Sequence, residues 1–258
     1  MRLVTVGTGT VIPDPERASA CHWVEEAGDR LIIDCGAGAL QGLARASLPW
    51  GEAGHLVISH FHADHIGEIP SLIFALRHGL GEPRTKRLDV WGPGGTVTLF
   101  RHLARSYGDW LLQPGFPVEI HEVDPGDHVR VGGLRLATAA TPHTDESLAL
   151  RITGTDAALG YTGDTGPDDS LADFFAAADV LLAECSLPDE LVGENHLSPT
   201  RLGRIAAAAG VGRLVVTHVY PQLRGRDLPD LIRRAGYEGE IVLASDGMEI
   251  MVSGNSQS

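Results

Sequence analysis

The chain has 258 residues, of which 43% are hydrophobic and 21% charged, and this is enough sequence for one large globular domain or two small ones. Acidic residues outnumber basic ones by 34 to 20, so the formal net charge is −14, which disfavours a broad basic surface that neutralises nucleic-acid phosphates. No apolar run approaches membrane-spanning length, the start lacks a signal-peptide pattern, and the three cysteines lack metal-site spacing. These features favour a cytoplasmic protein with reduced thiols and no membrane association.

Short apolar or alternating runs that stop at Gly, Pro or His predict strands in both halves of the chain. In the first half these runs are LVTVGTG, HWVEEAGDRLIIDCG, HLVISH and RLDVWGP, with helices near 38–46, 68–78 and 95–107. In the second half the pattern predicts a β-meander over 118–143, a hairpin turning near 154–156, strands in DVLLAEC, RLVVTHVY and EIVLASDGMEI, and helices near 198–209 and 227–235. The halves echo one another, because HLVISH and RLVVTH are both strands that end on a histidine.

No linker or composition shift separates the two halves. We therefore expect one domain over 1–252, an α/β fold of two β-rich halves with helices outside, followed by a disordered tail over 253–258. The segment 106–117 carries Trp110 and Phe116 between turn formers, and it is predicted to be a mobile flap that covers part of a substrate. The most basic run, PRTKR at 83–87, is predicted to be a solvated turn.

The stretch VISHFHADHIGE, residues 57–68, ends an apolar run in a cluster of three histidines and an aspartate. His60 and His62 are two residues apart, so they point the same way from an extended chain and can share one ion. Asp64 and His65 lie further along a tight turn, where they can hold a second ion nearby. Neutral imidazole together with carboxylate suits zinc, and also manganese or iron.

This HxHxDH pattern is the signature of the metallo-β-lactamase fold, and the chain resembles that family over almost its whole length. The segments TPHT, YTGDT and VTHVY follow it in order, each at the end of a predicted strand. The resemblance implies a four-layer αββα sandwich that binds two divalent metal ions, zinc before manganese or iron. It assigns the first ion to His60, His62 and His143, the second to Asp64, His65 and His218, and the bridging position to Asp164.

A further pair of residues resembles the ribonuclease Z branch of this family. LAECS supplies Glu184, and twelve residues later HLS supplies His196. The resemblance implies that Glu184 supports His196, and a histidine held by a carboxylate is a suitable proton donor to an alkoxide leaving group. The alternative is that His196 is only a neighbour of a helix cap at Ser198. We assign catalytic roles to Asp64, His196 and Glu184.

The opening of the chain also resembles ribonuclease Z, because VGTGTVIPDPERASA is followed by LIIDCGAG. On this basis Asp34 would orient the metal loop, and Arg17 would be either a surface arginine or a phosphate contact. The chain departs from the tRNA-processing members in two places. One hairpin of sequence separates His143 from Asp164, where those members commonly carry an RNA-binding arm, and THVYP replaces their usual Ser-Arg-Tyr ending.

The predicted function is that of a dinuclear metal-dependent hydrolase, a phosphodiesterase that cleaves a small phosphodiester or cyclic phosphate through a metal-bridging hydroxide. One alternative is a tRNA 3′-endonuclease of the ribonuclease Z type. Others are an ester, thioester or lactone hydrolase and a non-catalytic metal-dependent binding protein. The expected partner is a small anionic substrate, nucleic acid is disfavoured as a partner, and the family resemblance implies a homodimer.

Overall fold

The structure is a computed structural model that describes residues 1–254. Most of the predicted tail, from 255 to 258, lies outside the described residues. Within them the strands, in chain order, are β1 (Arg2–Gly7), β2 (Cys21–Glu26), β3 (Asp29–Ile33), β4 (His55–Val57), β5 (Leu88–Pro93), β6 (Val118–Val123), β7 (His128–Val131), β8 (Leu134–Ala140), β9 (Leu148–Thr153), β10 (Ala158–Tyr161), β11 (Val180–Glu184), β12 (Arg213–Thr217), β13 (Glu240–Leu243) and β14 (Met248–Met251).

The helices are α1 (Ala39–Arg45), α2 (Ala63–Ile66), α3 (Ile69–His78), α4 (Thr96–Tyr107), α5 (Ser170–Phe174), α6 (Pro199–Ala209) and α7 (Leu228–Arg234). Five of them, α1, α3, α4, α6 and α7, lie where the sequence predicts helices. The unpredicted α2 and α5 have only four and five residues, too few for a periodic apolar pattern. Among the described residues, no helix has the length and apolar character needed to cross a bilayer.

The strands form two seven-stranded sheets, with orders β14-β1-β2-β3-β4-β5-β6 and β13-β12-β11-β10-β9-β8-β7. In each sheet four consecutive strands, β3 to β6 and β10 to β13, run parallel, and the remaining pairings are antiparallel. Parallel strands with both faces covered read as continuous apolar runs, and β11 (VLLAE) is buried at all five positions. The segments after these parallel strands bear most of the predicted site residues, whereas His143 follows the antiparallel strand β8.

Three apolar clusters fill the space between four layers. The inner cluster lies between the two sheets and includes Leu31, Leu150 and Leu182. The outer clusters pack α1, α3 and α4 on the first sheet and α5, α6 and α7 on the second. This is the predicted αββα sandwich with helices outside.

The predicted meander over 118–143 is right for the β7–β8 hairpin and wrong for β6. β6 pairs in parallel with β5 in the first sheet, whereas β7 begins the second sheet by pairing with β8. The turn at Asp124–Asp127 therefore connects the two sheets. A regular alternation of apolar residues does not reveal which sheet a strand joins.

The two halves do repeat one strand order, but the strands that correspond are not the pair that the sequence suggests. Counting along the repeated strand order, β4 corresponds to β11, because each lies directly after the first strand of the parallel part of its sheet. The metal-loop strand is therefore the counterpart of the strand that ends on Glu184, and not of β12, which precedes His218.

The segment 106–117 is packed into the first half rather than forming a free flap. Leu111 and Phe116 are buried in the first outer cluster, and the guanidinium of Arg84 lies 5.0 Å from the centre of the Phe116 ring. Trp110 contacts Phe74 of α3, with ring centres 5.1 Å apart. The aromatic residues that suggested a flap are the side chains that anchor the segment.

Candidate metal centre

The loop after β4 carries four of the predicted ligands. The helix α2 begins at Ala63, so Asp64 and His65 lie in its first turn, only a few residues after His60. The loop packs closely on the segment after β3: the N–H of Cys35 donates to the carbonyl of His65 at 2.6 Å. Gly36 permits this approach, since a Cβ at that position would lie 1.9 Å from the carbonyl oxygen of Asp64.

Two backbone positions at the site are held in the left-handed region. Asp34, directly after β3, has φ +55°, and His218, directly after β12, has φ +53°. Non-glycine residues adopt this conformation at a cost and tend to cluster at functional sites. Here the turn at each strand end directs the side chain to the shared edge of the two sheets.

The first group of candidate ligands consists of His60, His62, His143 and Asp164, whose ligand atoms lie within 4.8 Å of one another. Nδ1 of His62 lies 3.1 Å from Nε2 of His60 and 3.0 Å from Nε2 of His143. The other nitrogen of His143 faces the carbonyl oxygen of Asn195 at 2.8 Å, which fixes the ring.

The second group consists of Asp64, His65 and His218, whose ligand atoms also lie within 4.8 Å. Nε2 of His218 is 3.3 Å from Oδ2 of Asp64, and Nε2 of His65 is 4.0 Å from the same oxygen. Burial raises the pKa of Asp64, but the hydrogen bond from His218 and the charges of both histidines outweigh it and lower that pKa to about 2. Asp64 is therefore a carboxylate at neutral pH.

Asp164 lies between the two groups. Its Oδ2 faces the first group, 3.7 Å from Nε2 of His143 and 4.0 Å from Nε2 of His60. Its Oδ1 faces the second group, 3.4 Å from Nε2 of His65. The two oxygens of one carboxylate thus face two separate sets of ligand atoms, the arrangement that a bridging ligand requires.

The donor set fits divalent metal ions. Nε2 of His65 is buried and has no hydrogen-bond partner among the described residues, although it points at Asp64 and Asp164. Burial lowers the pKa of His60 to about 3 and also lowers that of His143, so these rings are neutral and offer lone pairs. Zinc–nitrogen bonds of about 2.0–2.1 Å place neighbouring ligand nitrogens roughly 3.4 Å apart, close to the spacing of the His62 contacts.

Asp34 joins this loop to the second sheet. Its fully buried carboxylate lies 2.8 Å from Nδ1 of His65 and accepts hydrogen bonds, each at 2.8 Å, from the Ser59 backbone N–H, the Ser59 hydroxyl and the Tyr161 hydroxyl. The orienting role predicted for this residue matches these contacts. Arg17, in contrast, donates to the hydroxyl of Thr8 at 2.7 Å and the carbonyl of Ala244 at 2.9 Å, so it fastens the loop after β1.

Glu184 and His196 are in direct contact. Nδ1 of His196 lies 3.0 Å from Oε1 and 3.2 Å from Oε2 of Glu184, while the backbone N–H of Thr165 donates to Oε1 at 2.6 Å. The His196 ring centre is 4.8 Å from that of His143, which places His196 beside the ligand groups. Ser198 is the cap of α6, as the alternative assumes, and its hydroxyl accepts from the Arg201 N–H at 3.3 Å. The ring of His196 is oriented by its contact with Glu184.

Three residues near the site are absent from the sequence-based assignment. Ser59 and Ser186 are fully buried hydroxyls next to candidate ligands. The ring of Tyr220 lies 5.6 Å from that of His218 and 6.1 Å from that of His196, centre to centre. Burial and the carboxylates of Asp164 and Asp64 raise the Tyr220 pKa to about 12. Ser59, Ser186 and Tyr220 each lie within two residues of a predicted site residue in the sequence, and this is the only sequence feature that points to them.

The comparisons with known proteins agree with this geometry. A family model described as a beta-lactamase superfamily domain matches residues 29–219. A Mycobacterium tuberculosis (strain H37Rv) protein described as uncharacterized is 32% identical over 236 residues, which cover 88% of this chain and 84% of that protein. A ribonuclease Z of Mycobacterium bovis (strain BCG / Pasteur) is 28% identical over 248 residues, which cover 86% of this chain and 87% of that protein.

Among solved structures, the metallo-beta-lactamase fold protein YhfI from Bacillus subtilis matches with a TM-score of 0.84 and 25% identity, covering 97% of this chain and 99% of YhfI. The chain therefore belongs to the beta-lactamase superfamily. Its fold, its two groups of candidate metal ligands and its relatives are those of the metallo-β-lactamase-fold hydrolases.

Proposed function

We propose that this protein is a dinuclear metal-dependent phosphodiesterase that acts on small phosphodiesters or cyclic phosphates. The observation that carries the proposal is the position of Asp164, whose two carboxylate oxygens face two separate ligand groups. The first ion would be held by His60, His62 and His143, and the second by Asp64, His65 and His218. Zinc suits this mixture of imidazole and carboxylate, as do manganese and iron.

When bound, two divalent ions supply an activated water and neutralise the negative charge that develops on the phosphoryl oxygens. The chain itself supplies the proton for the leaving group. Because Nδ1 of His196 is bonded to Glu184, its Nε2 is the nitrogen left to protonate the departing oxygen. Burial lowers the pKa of His196, but the hydrogen bond and the charge of Glu184 outweigh burial and raise it, which favours the protonated acid.

A small substrate fits the cationic residues better than a long RNA. Between His143 and Asp164 the only basic residue is Arg151, and it donates to the carbonyls of Phe174 and Ala176, at 3.2 and 3.0 Å. In the run 83–87, Arg84 is buried and donates to three backbone carbonyls, so it is no solvated side chain. Binding precursor tRNA would require several free Lys or Arg contacts to phosphates.

A tRNA 3′-endonuclease is the second candidate, because the match to a ribonuclease Z extends over 86% of this chain. The two candidates share the ligand groups and His196, and they differ in how the substrate is held. Small anionic substrates need only the centre itself, whereas tRNA needs an additional binding surface.

The test is a screen of the purified protein, loaded with zinc or manganese, on bis(p-nitrophenyl) phosphate, cyclic nucleotides, and a panel of esters and thioesters. We expect metal-dependent turnover of phosphodiesters and no comparable turnover of carboxylic esters. Turnover confined to the esters or thioesters would overturn the proposal. The same screen on His196→Ala tests the role of the candidate acid. His128→Ala, which changes an exposed histidine on β7, is its matched control.

A further inference from the structure

The hydroxyl of Ser59 bridges a buried carboxylate and a candidate ligand. Its Oγ donates to Oδ2 of Asp34 at 2.8 Å and lies 3.1 Å from Nδ1 of His60. A hydroxyl has a single proton, and the carboxylate can only accept. The proton therefore goes to Asp34, and the oxygen is left to accept from an N–H at Nδ1 of His60. That tautomer leaves the lone pair on Nε2, the atom that faces His62.

Ser186 makes the same bridge in the other half of the molecule. Its Oγ donates to Oε2 of Glu184 and lies 3.1 Å from Nδ1 of His218. The same nitrogen is 3.6 Å from Oδ1 of Asp164, so the contact with Ser186 is the shorter one. With its proton at Nδ1, His218 would offer the lone pair of Nε2 to an ion held beside Asp64, whose Oδ2 is 3.3 Å away.

The two serines occupy equivalent places in the fold. Ser59 is the second residue after β4 and Ser186 the second after β11, and these strands hold corresponding positions in the two sheets. Both side chains are completely buried. Each carboxylate also contacts a second histidine directly, Asp34 bonding to His65 and Glu184 to His196.

We propose that Ser59 and Ser186 are a matched pair of positioning residues, each fixing the tautomer and ring orientation of one ligand. Ser59 serves the first group through His60, and Ser186 serves the second group through His218. This inference rests on the proposal that the two groups hold metal ions. Hydrogen-bond partners behind a ligand typically change metal affinity by about 10–100-fold when they are removed.

The test compares Ser59→Ala with Ser186→Ala, each being the control for the other. Zinc affinity is measured by competition with a chromophoric chelator, in the otherwise intact protein and in backgrounds that disable one group. In a His218→Ala background, Ser59→Ala should weaken the remaining ion about 10–100-fold, whereas Ser186→Ala should have no further effect. In a His60→Ala background, Ser186→Ala should weaken the remaining ion and Ser59→Ala should have no further effect. Ser→Thr at either position keeps the hydroxyl and should restore binding.

A second readout observes the imidazoles directly in the zinc-loaded protein. Nitrogen-15 NMR should show His60 and His218 protonated at Nδ1, and each alanine variant should disturb the signals of its own histidine only. The inference is overturned if both variants bind both ions as the unmodified protein does, or if each weakens both ions equally. A protein that binds no metal at all would instead overturn the proposed function and this inference with it.

Discussion

The carboxylate of Glu184 contacts Nδ1 of His196 with both oxygens, at 3.0 and 3.2 Å, and through Ser186 it also reaches Nδ1 of His218. One buried carboxylate thus orients the candidate acid and one candidate metal ligand together. Hydrogen bonds through Glu184 and Ser186 therefore connect the candidate acid His196 to His218 of the second ligand group.

His196→Ala should leave the metal content unchanged and slow cleavage of phosphodiesters by a factor on the order of 10²–10⁴, the usual contribution of a general acid. Substrates with good leaving groups, such as p-nitrophenoxide, need little protonation and should lose less activity. The measurement is kcat/KM over a series of leaving groups, with His128→Ala as the control. An equal loss for good and poor leaving groups would show that His196 is not the acid.

Glu184→Gln should shift the pH profile. Burial lowers the pKa of His196, and the hydrogen bond and charge of Glu184 raise it by more. A general acid acts when protonated, so activity is retained below the His196 pKa and lost as the pH rises through it. Removing the negative charge lowers that pKa, and the alkaline limb of kcat/KM should move to lower pH. An unmoved alkaline limb would contradict this assignment.

Asp164→Ala should lose both ions or leave them weakly held, because it removes the one carboxylate that faces both ligand groups. Elemental analysis after dialysis measures the number of ions per chain, with a value of about two expected for the unmodified protein. Asp169→Ala, at an exposed position of the same loop, is the control. Two tightly held ions in Asp164→Ala would disprove the bridging role.

Gly36→Ala should destabilise the metal loop, because the new Cβ would lie 1.9 Å from the carbonyl oxygen of Asp64. Overpacking of this kind typically costs about 1–3 kcal/mol in the free energy of unfolding. Gly81→Ala places a methyl group in open space and should be nearly neutral. Denaturant titration of the metal-free variants measures both, and equal stability of the two would contradict the close approach.

Much of the fold and the candidate site could be predicted from the sequence, because ligand-type residues at strand ends keep their order and spacing. The HxHxDH loop, His143, Asp164 and His218 lie far apart in the chain, yet the structure brings them together as two groups. Their roles as metal ligands stay predictions until metal is measured.

Other features depended on tertiary contacts that no local pattern reveals. Alternation of apolar residues did not show that β6 and β7 belong to different sheets. The aromatic residues of 106–117 look exposed in the sequence, but Phe116 finds its partner in Arg84, which is distant in the chain. Nothing in the sequence distinguishes Ser186 from other small residues. Its hydroxyl contacts Nδ1 of His218 only because the chain turns at His218.

The central claim is that the centre acts on small phosphodiesters rather than on precursor tRNA. The most direct measurement is a competition at physiological salt, with metal-loaded protein turning over bis(p-nitrophenyl) phosphate or a cyclic nucleotide while unlabelled precursor tRNA is added. We expect submicromolar precursor tRNA to leave this turnover unchanged and to remain uncut at its 3′ trailer. Inhibition of small-substrate turnover at that concentration, together with cleavage of the trailer, would contradict the claim.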